Sequence, residues 1–171
     1  MNADQLRAMQ APLKDKYRQT PDAAVVVLKA EGKLDGSGIA CKVETGRGLV
    51  EAGLHPATGG SGLQACSGDM LLEALVACAG VTVRAVATAL GIEIRGGTVK
   101  AEGDLDFRGT LGVAKDAPVG FRDVRLSFEI DTDADAEKLA TLHKLAERYC
   151  VVYQTLKNPP TLSVSMDRAG G

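Results

Sequence analysis

The chain has 171 residues, 45% hydrophobic and 25% charged, with a formal net charge of −2. That length and mix predict one globular domain with a sizeable core. Interspersed charge leaves no electrostatic footprint for nucleic acid or an anionic membrane, and 4% aromatics leave little for a base-stacking surface.

The N-terminus carries no apolar run and does not read as a secretory signal, so a cytoplasmic protein is expected. Residues 3–19 are polar, with Leu6, Met9 and Leu13 at helical spacing, and Pro21 stops them. This predicts a helical extension over 1–21, ahead of a core over 22–167, in a single domain. Ala23–Ala30 is β-branched and reads as a strand. Leu34–Gly38 is a turn, and Ile39–Glu44 alternates as the hairpin partner. Thr45–Gly48 is a second turn, Leu49–Leu54 a third strand, and Pro56–Gly68 a loop rich in Gly, Ser and Thr.

A long, almost wholly apolar helix is expected from Asp69 to Leu90, with Ser67 or Asp69 as its cap and Gly91 as its stop. It is long enough to raise a transmembrane reading, but Glu73 and Arg84 interrupt it and the flanks read as globular, which favours a buried helix. Being apolar on nearly every side, it predicts burial all round, most easily completed by a second copy of the chain. Ile92–Phe107 reads as a strand broken at Gly96 and Gly97. Phe121–Ile130 alternates, with Phe121, Val124, Leu126, Phe128 and Ile130 mostly on one side. Ala134–Tyr149 has helical spacing, Pro159 and Pro160 break the chain, and Thr161–Met166 reads as a closing strand. The order β-β-β-α-β-β-α-β predicts an α+β domain with a sheet of five or six strands.

Four cysteines in a reducing compartment are more often thiols, catalytic groups or metal ligands than disulfides. Cys78 lies in the middle of the apolar helix, and Cys150 closes the later amphipathic one. Either is an inert core thiol or a redox group. Cys41 reads as core. Cys66, His55, Cys78 and Cys150 show no CxxC or HxxxH spacing, so no metal site is expected, although metal sensing through Cys66 and His55 is a weaker alternative. The Gly59–Gly62 loop lacks a following P-loop lysine, so no nucleotide cofactor is expected.

Two segments carry a family resemblance. Gly68–Cys78 resembles the helix motif P-x-E-L-L-L-A-A-L-G-x-C, and Tyr149–Leu156 resembles Y-C-P-V-S-x-x-L, in the same order and on corresponding elements. The chain is thereby similar to the OsmC/Ohr family, the osmotically induced and organic-hydroperoxide-resistance proteins, over about residues 23–166. It departs from the motifs at Asp69 (glutamate in the family), Val151 (proline), Tyr153 (serine) and Cys66-Ser67 (where the family has its loop proline).

The resemblance implies an OsmC-like fold, with sheets packed on the buried central helix in an intertwined homodimer that has two interfacial sites. It implies thiol-dependent reduction of organic or fatty-acid hydroperoxides, with Cys78 peroxidatic and Cys150 resolving, and a thiol or dithiol reductant as partner. Leu71, Leu75, Val81 and Tyr153 are expected to line the pocket. A thiolate needs a cation or donors beside it. Arg47 is expected to supply the cation, held by Asp69, with Arg84 as the alternative. Asp69 itself lies nine residues, ~13 Å, from Cys78 along the helix and also reads as a plain helix-capping carboxylate. The competing function is a non-enzymatic module that holds a small apolar ligand in the same groove.

Overall fold

The computed structural model describes residues 3–34, 41–43 and 52–166. Helix α1 spans Ala3–Gln19. It is tied to the body by the Tyr17 hydroxyl, which donates to the Ala57 carbonyl at 2.6 Å. Pro21 opens a short 3-10 turn, Pro21–Ala24, at a position where a missing N–H and a fixed φ suit a helical start. Strand β1 therefore begins at Val25, later than the expected Ala23, and runs on to Leu34. Its extra length is held by antiparallel pairing with β3, from Val25 opposite Asp106 to Leu34 opposite Gly97. Strand β2, Cys41–Val43, returns antiparallel on β1, as the hairpin reading expected. The two expected turns, at 34–38 and 45–48, lie largely or wholly outside the described residues. So does most of the expected strand at 49–54, of which the described part shows only a single parallel bridge from Ala52 to Ala65.

Helix α2, Ser67–Ala89, is the central element. Its N-cap is Cys66 and not Ser67 or Asp69; those two sit within the first turn. Gly91, at φ +66°, ends it where a side chain would be strained. Strand β3, Gly96–Asp106, starts later than expected. Gly97 has φ +150°, and a Cβ there would lie 2.3 Å from the Glu129 carbonyl, so β4 can approach this closely only because the residue is glycine. Helix α3, Phe107–Thr110, was not anticipated; the Asp106 carboxylate caps it by accepting from the Arg108 N–H. Strand β4, Phe121–Asp131, matches the expected alternation. Helix α4, Ala136–Tyr149, and helix α5, Val151–Lys157, follow.

The strands form one antiparallel sheet of four, in the order β2-β1-β3-β4. Thr161–Met166 does not form the expected closing strand: it has no regular secondary structure and is exposed, with Leu162, Val164 and Met166 at 82%, 93% and 95% exposure. An apolar, alternating segment needs a sheet edge to become a strand, and sequence alone cannot say whether its own chain offers one. Helix α2 packs on the sheet through Leu72, Leu75, Val76, Ala79, Val83 and Ala87. Within one chain it is not buried all round. Met70, Leu71 and Val81 stand 38%, 37% and 43% exposed on its other side, because the sheet and α4 cover only one face.

Candidate active site

The geometry begins with a one-residue break. Cys150 completes α4, its N–H donating to the Ala146 carbonyl at 3.1 Å, and its own carbonyl accepts from Gln154 N–H to start α5. Between the two helices it holds an extended conformation, φ −73° and ψ 106°. The break occurs without the family's proline. It turns the first amides of α5, on Val151 and Val152, toward the middle of α2, and their partner there is Cys78.

Cys78 is half-buried and Cys150 is fully buried; both are free thiols, close enough that each shifts the other's titration. Burial pushes the Cys78 thiol up. The Val152 N–H, the Cys150 thiol, the Thr82 hydroxyl and the Val151 N–H together outweigh that and hold it below the ordinary thiol range. The Thr82 hydroxyl has a single hydrogen, which reaches the Cys78 carbonyl at 2.7 Å, so the amides and the Cys150 thiol carry most of this stabilisation. Cys150 moves the other way. Burial, reinforced by the sulfur beside it and opposed by the Tyr153 and Val152 amides, pushes it up to about 11. Cys78 therefore ionises more readily than an ordinary thiol, beside a Cys150 that stays protonated near neutral pH.

The supporting residues expected from the sequence are not all assembled here. Arg47 lies outside the described residues. Asp69 sits at the start of α2, where burial raises its carboxyl and the charge of His55 lowers it. Arg84, the alternative cation, is buried on the sheet side, donating to the Ile94 carbonyl at 2.7 Å. What sequence reasoning missed are the backbone donors of Val151 and Val152. The signal that could have found them was weak: a helical run interrupted at a cysteine, with no proline or glycine to mark the break.

A groove of about 570 Å³ lies between α2, β4 and α5; neither cysteine lines it. Leu71, Leu75 and Tyr153 line it as expected, Leu75 one turn before Cys78 and Tyr153 one turn after Cys150. Val81 does not line it. Its far wall is Phe121, Val124 and Leu126 of β4, with Arg122, Asp123 and Lys157 at the rim. The groove shares Leu71 and Phe121 with a second cavity of about 390 Å³ that contains His55 and Cys66. His55 stacks on Phe107 there, with ring centroids 4.9 Å apart. Among the described residues no three His, Cys, Asp or Glu side chains converge as a metal site would require.

The family model described as OsmC-like protein matches residues 60–165, which hold α2, β3, β4, both cysteines and the groove. Among solved structures, an OsmC-like hydroperoxide resistance protein from Jannaschia sp. CCS1 superposes with a TM-score of 0.60 at 18% identity, over 86% of this chain and 97% of that one. That likeness is one of fold. No curated protein matches the chain. With the family model spanning well over half of its length, and the overall α+β fold in agreement, the chain belongs to the OsmC-like protein family.

Proposed function

We propose that the protein is a thiol-dependent peroxidase for organic hydroperoxides. The observation that carries this reading is the proximity of Cys78 and Cys150 at the α4–α5 break, where the Cys78 thiol is shifted down and the Cys150 thiol up. The Cys78 thiolate attacks the terminal oxygen of R–O–O–H and the O–O bond breaks. The alcohol ROH leaves after taking up a proton, and Cys78 is oxidised to a sulfenic acid. The Cys150 sulfur then attacks the Cys78 sulfur, an S–S bond forms, and the sulfenic hydroxyl leaves as water with the Cys150 proton. An external dithiol reduces this disulfide and is itself oxidised. The apolar groove gives the reading its preference for organic over inorganic peroxide.

The active unit in this reading is a homodimer in the cytoplasm. Its support is the apolar face that one chain leaves uncovered on α2, together with Val151 at 70% exposure and the apolar tail at 162–166. The alternative is a binding module with inert cysteines, which would use the same groove.

A titration of free thiols separates the two. One equivalent of cumene hydroperoxide should consume two thiols per chain, mapped by mass spectrometry to a Cys78–Cys150 disulfide, and hydrogen peroxide should do so more slowly. Thiols left intact by stoichiometric hydroperoxide would overturn the peroxidase reading in favour of the binding module.

A further inference from the structure

The break between α4 and α5 falls where the local sequence does not impose one. A proline after Cys150 would impose it, because proline lacks an N–H and keeps the residue before it extended. Val151 does neither, and its N–H could continue α4 by donating to the Glu147 carbonyl. Instead α4 closes with the Cys150 N–H on the Ala146 carbonyl at 3.1 Å, and Cys150 turns to φ −73° and ψ 106°.

Stopping the ladder there orphans the Glu147 carbonyl. Gln154 takes it from across the break: its Nε2 donates to that carbonyl at 2.9 Å. The amide is itself oriented, since Asn158 Nδ2 donates to Gln154 Oε1 at 3.2 Å and so leaves the Gln154 NH2 facing Glu147. Lys157 Nζ ties Glu147 a second time, at Oε1 and 2.6 Å, but both side chains of that pair are partly in water, where an ion pair contributes little. The contact from half-buried Gln154 is the one that stands in for the missing backbone donor.

We propose that Gln154 is a positioning residue: by occupying the Glu147 carbonyl it keeps α4 and α5 apart at Cys150 and leaves the Val151 and Val152 amides to face Cys78. From within α5 it does in this chain what a proline at 151 would do. Without it the Glu147 carbonyl regains the Val151 N–H, α5 rejoins α4, and the amides turn away from the sulfur. The bearing of this on turnover rests on the peroxidase reading; the placement of the amides does not.

The pH profile of Cys78 alkylation by iodoacetamide, read by mass spectrometry of the Cys78 peptide, tests it in the native protein, Q154M, V151P and the double variant. Methionine is close to glutamine in length and lacks the donor. The amides favour the Cys78 thiolate, so turning them away raises its pKa. The Q154M profile should move up by about one pH unit or more, the scale of one hydrogen bond to a charged group. In V151P there is no N–H to rejoin Glu147 and the proline itself keeps Cys150 extended, so adding Q154M should leave the profile where V151P alone has it. A glutamine that merely stabilised the fold would shift both backgrounds alike. Melting curves check folding. Should Q154M unfold, N158L carries the same test: it frees the Gln154 amide without removing it and should move the profile the same way by less. A profile unmoved in the single variant, or moved equally with and without V151P, would overturn the proposal. No peroxide enters these measurements. Failure of the peroxidase reading would appear in the thiol titration and leave the profiles untouched.

Discussion

The two ends of the α2 environment solve different problems with the same residue type. At its N-terminus, Cys66 caps the helix amid a histidine and a carboxylate, His55 and Asp69, yet no second thiol meets it there among the described residues. Twelve residues on, Cys78 has no charged side chain among its described stabilising partners, only backbone amides, a hydroxyl and another thiol. The site with the more suggestive side chains is the less equipped for thiol chemistry. Among the described residues, backbone N–H groups and a neighbouring thiol, and no charged side chain, are what lower the Cys78 pKa.

The comparison predicts a hierarchy of effects. The largest is Cys78→Ser, which removes the nucleophile. Hydroperoxide consumption should fall to the uncatalysed rate, and retention of normal turnover would disprove the assignment. Cys150→Ser should keep the first attack and lose recycling. Its signature is a burst of one alcohol per chain, followed by a dimedone-trappable or over-oxidised Cys78; sustained turnover in this variant would show that Cys150 does not resolve.

Val151→Pro is subtler. Proline suits the first position of a helix, so α5 should persist, but one amide donor to Cys78 is lost. Donors lower the Cys78 pKa by favouring its thiolate, so losing one raises it. The pH profile of Cys78 alkylation should move up by about one unit, the scale of one hydrogen bond to a charged group, and the rate at neutral pH should fall. An unmoved profile would mean that the Val151 amide does not act on the sulfur. The smallest effect is expected at the other end of the helix. Cys66→Ser should leave turnover unchanged and hold or raise thermal stability, because serine supplies the side-chain cap that Cys66 does not make. A large loss of turnover there would give that end of the helix a role in the chemistry.

Much of this was legible in the sequence, because it rests on patterns a few residues long. Helical spacing placed α1 and α4, alternation placed β4, and a long, mostly apolar run ended by Gly91 placed α2. The family motifs pointed to both cysteines, and three of the four expected groove residues, Leu71, Leu75 and Tyr153, do line one cavity. Local pattern did not decide what those elements leave open. The fate of Thr161–Met166 depends on an available sheet edge and not on its own alternation, and the uncovered face of α2 depends on how much surface one small sheet can shield. The opposite pKa shifts of Cys78 and Cys150 depend on where the amides of a neighbouring helix point. Arg122 reaches the groove rim only because β4 gains a residue against β3, a property of two strands together that neither sequence holds alone. Periodicity and residue type fix which elements form and which faces are apolar; burial, hydrogen-bond direction and register are relations between elements distant along the chain, and only packing sets them.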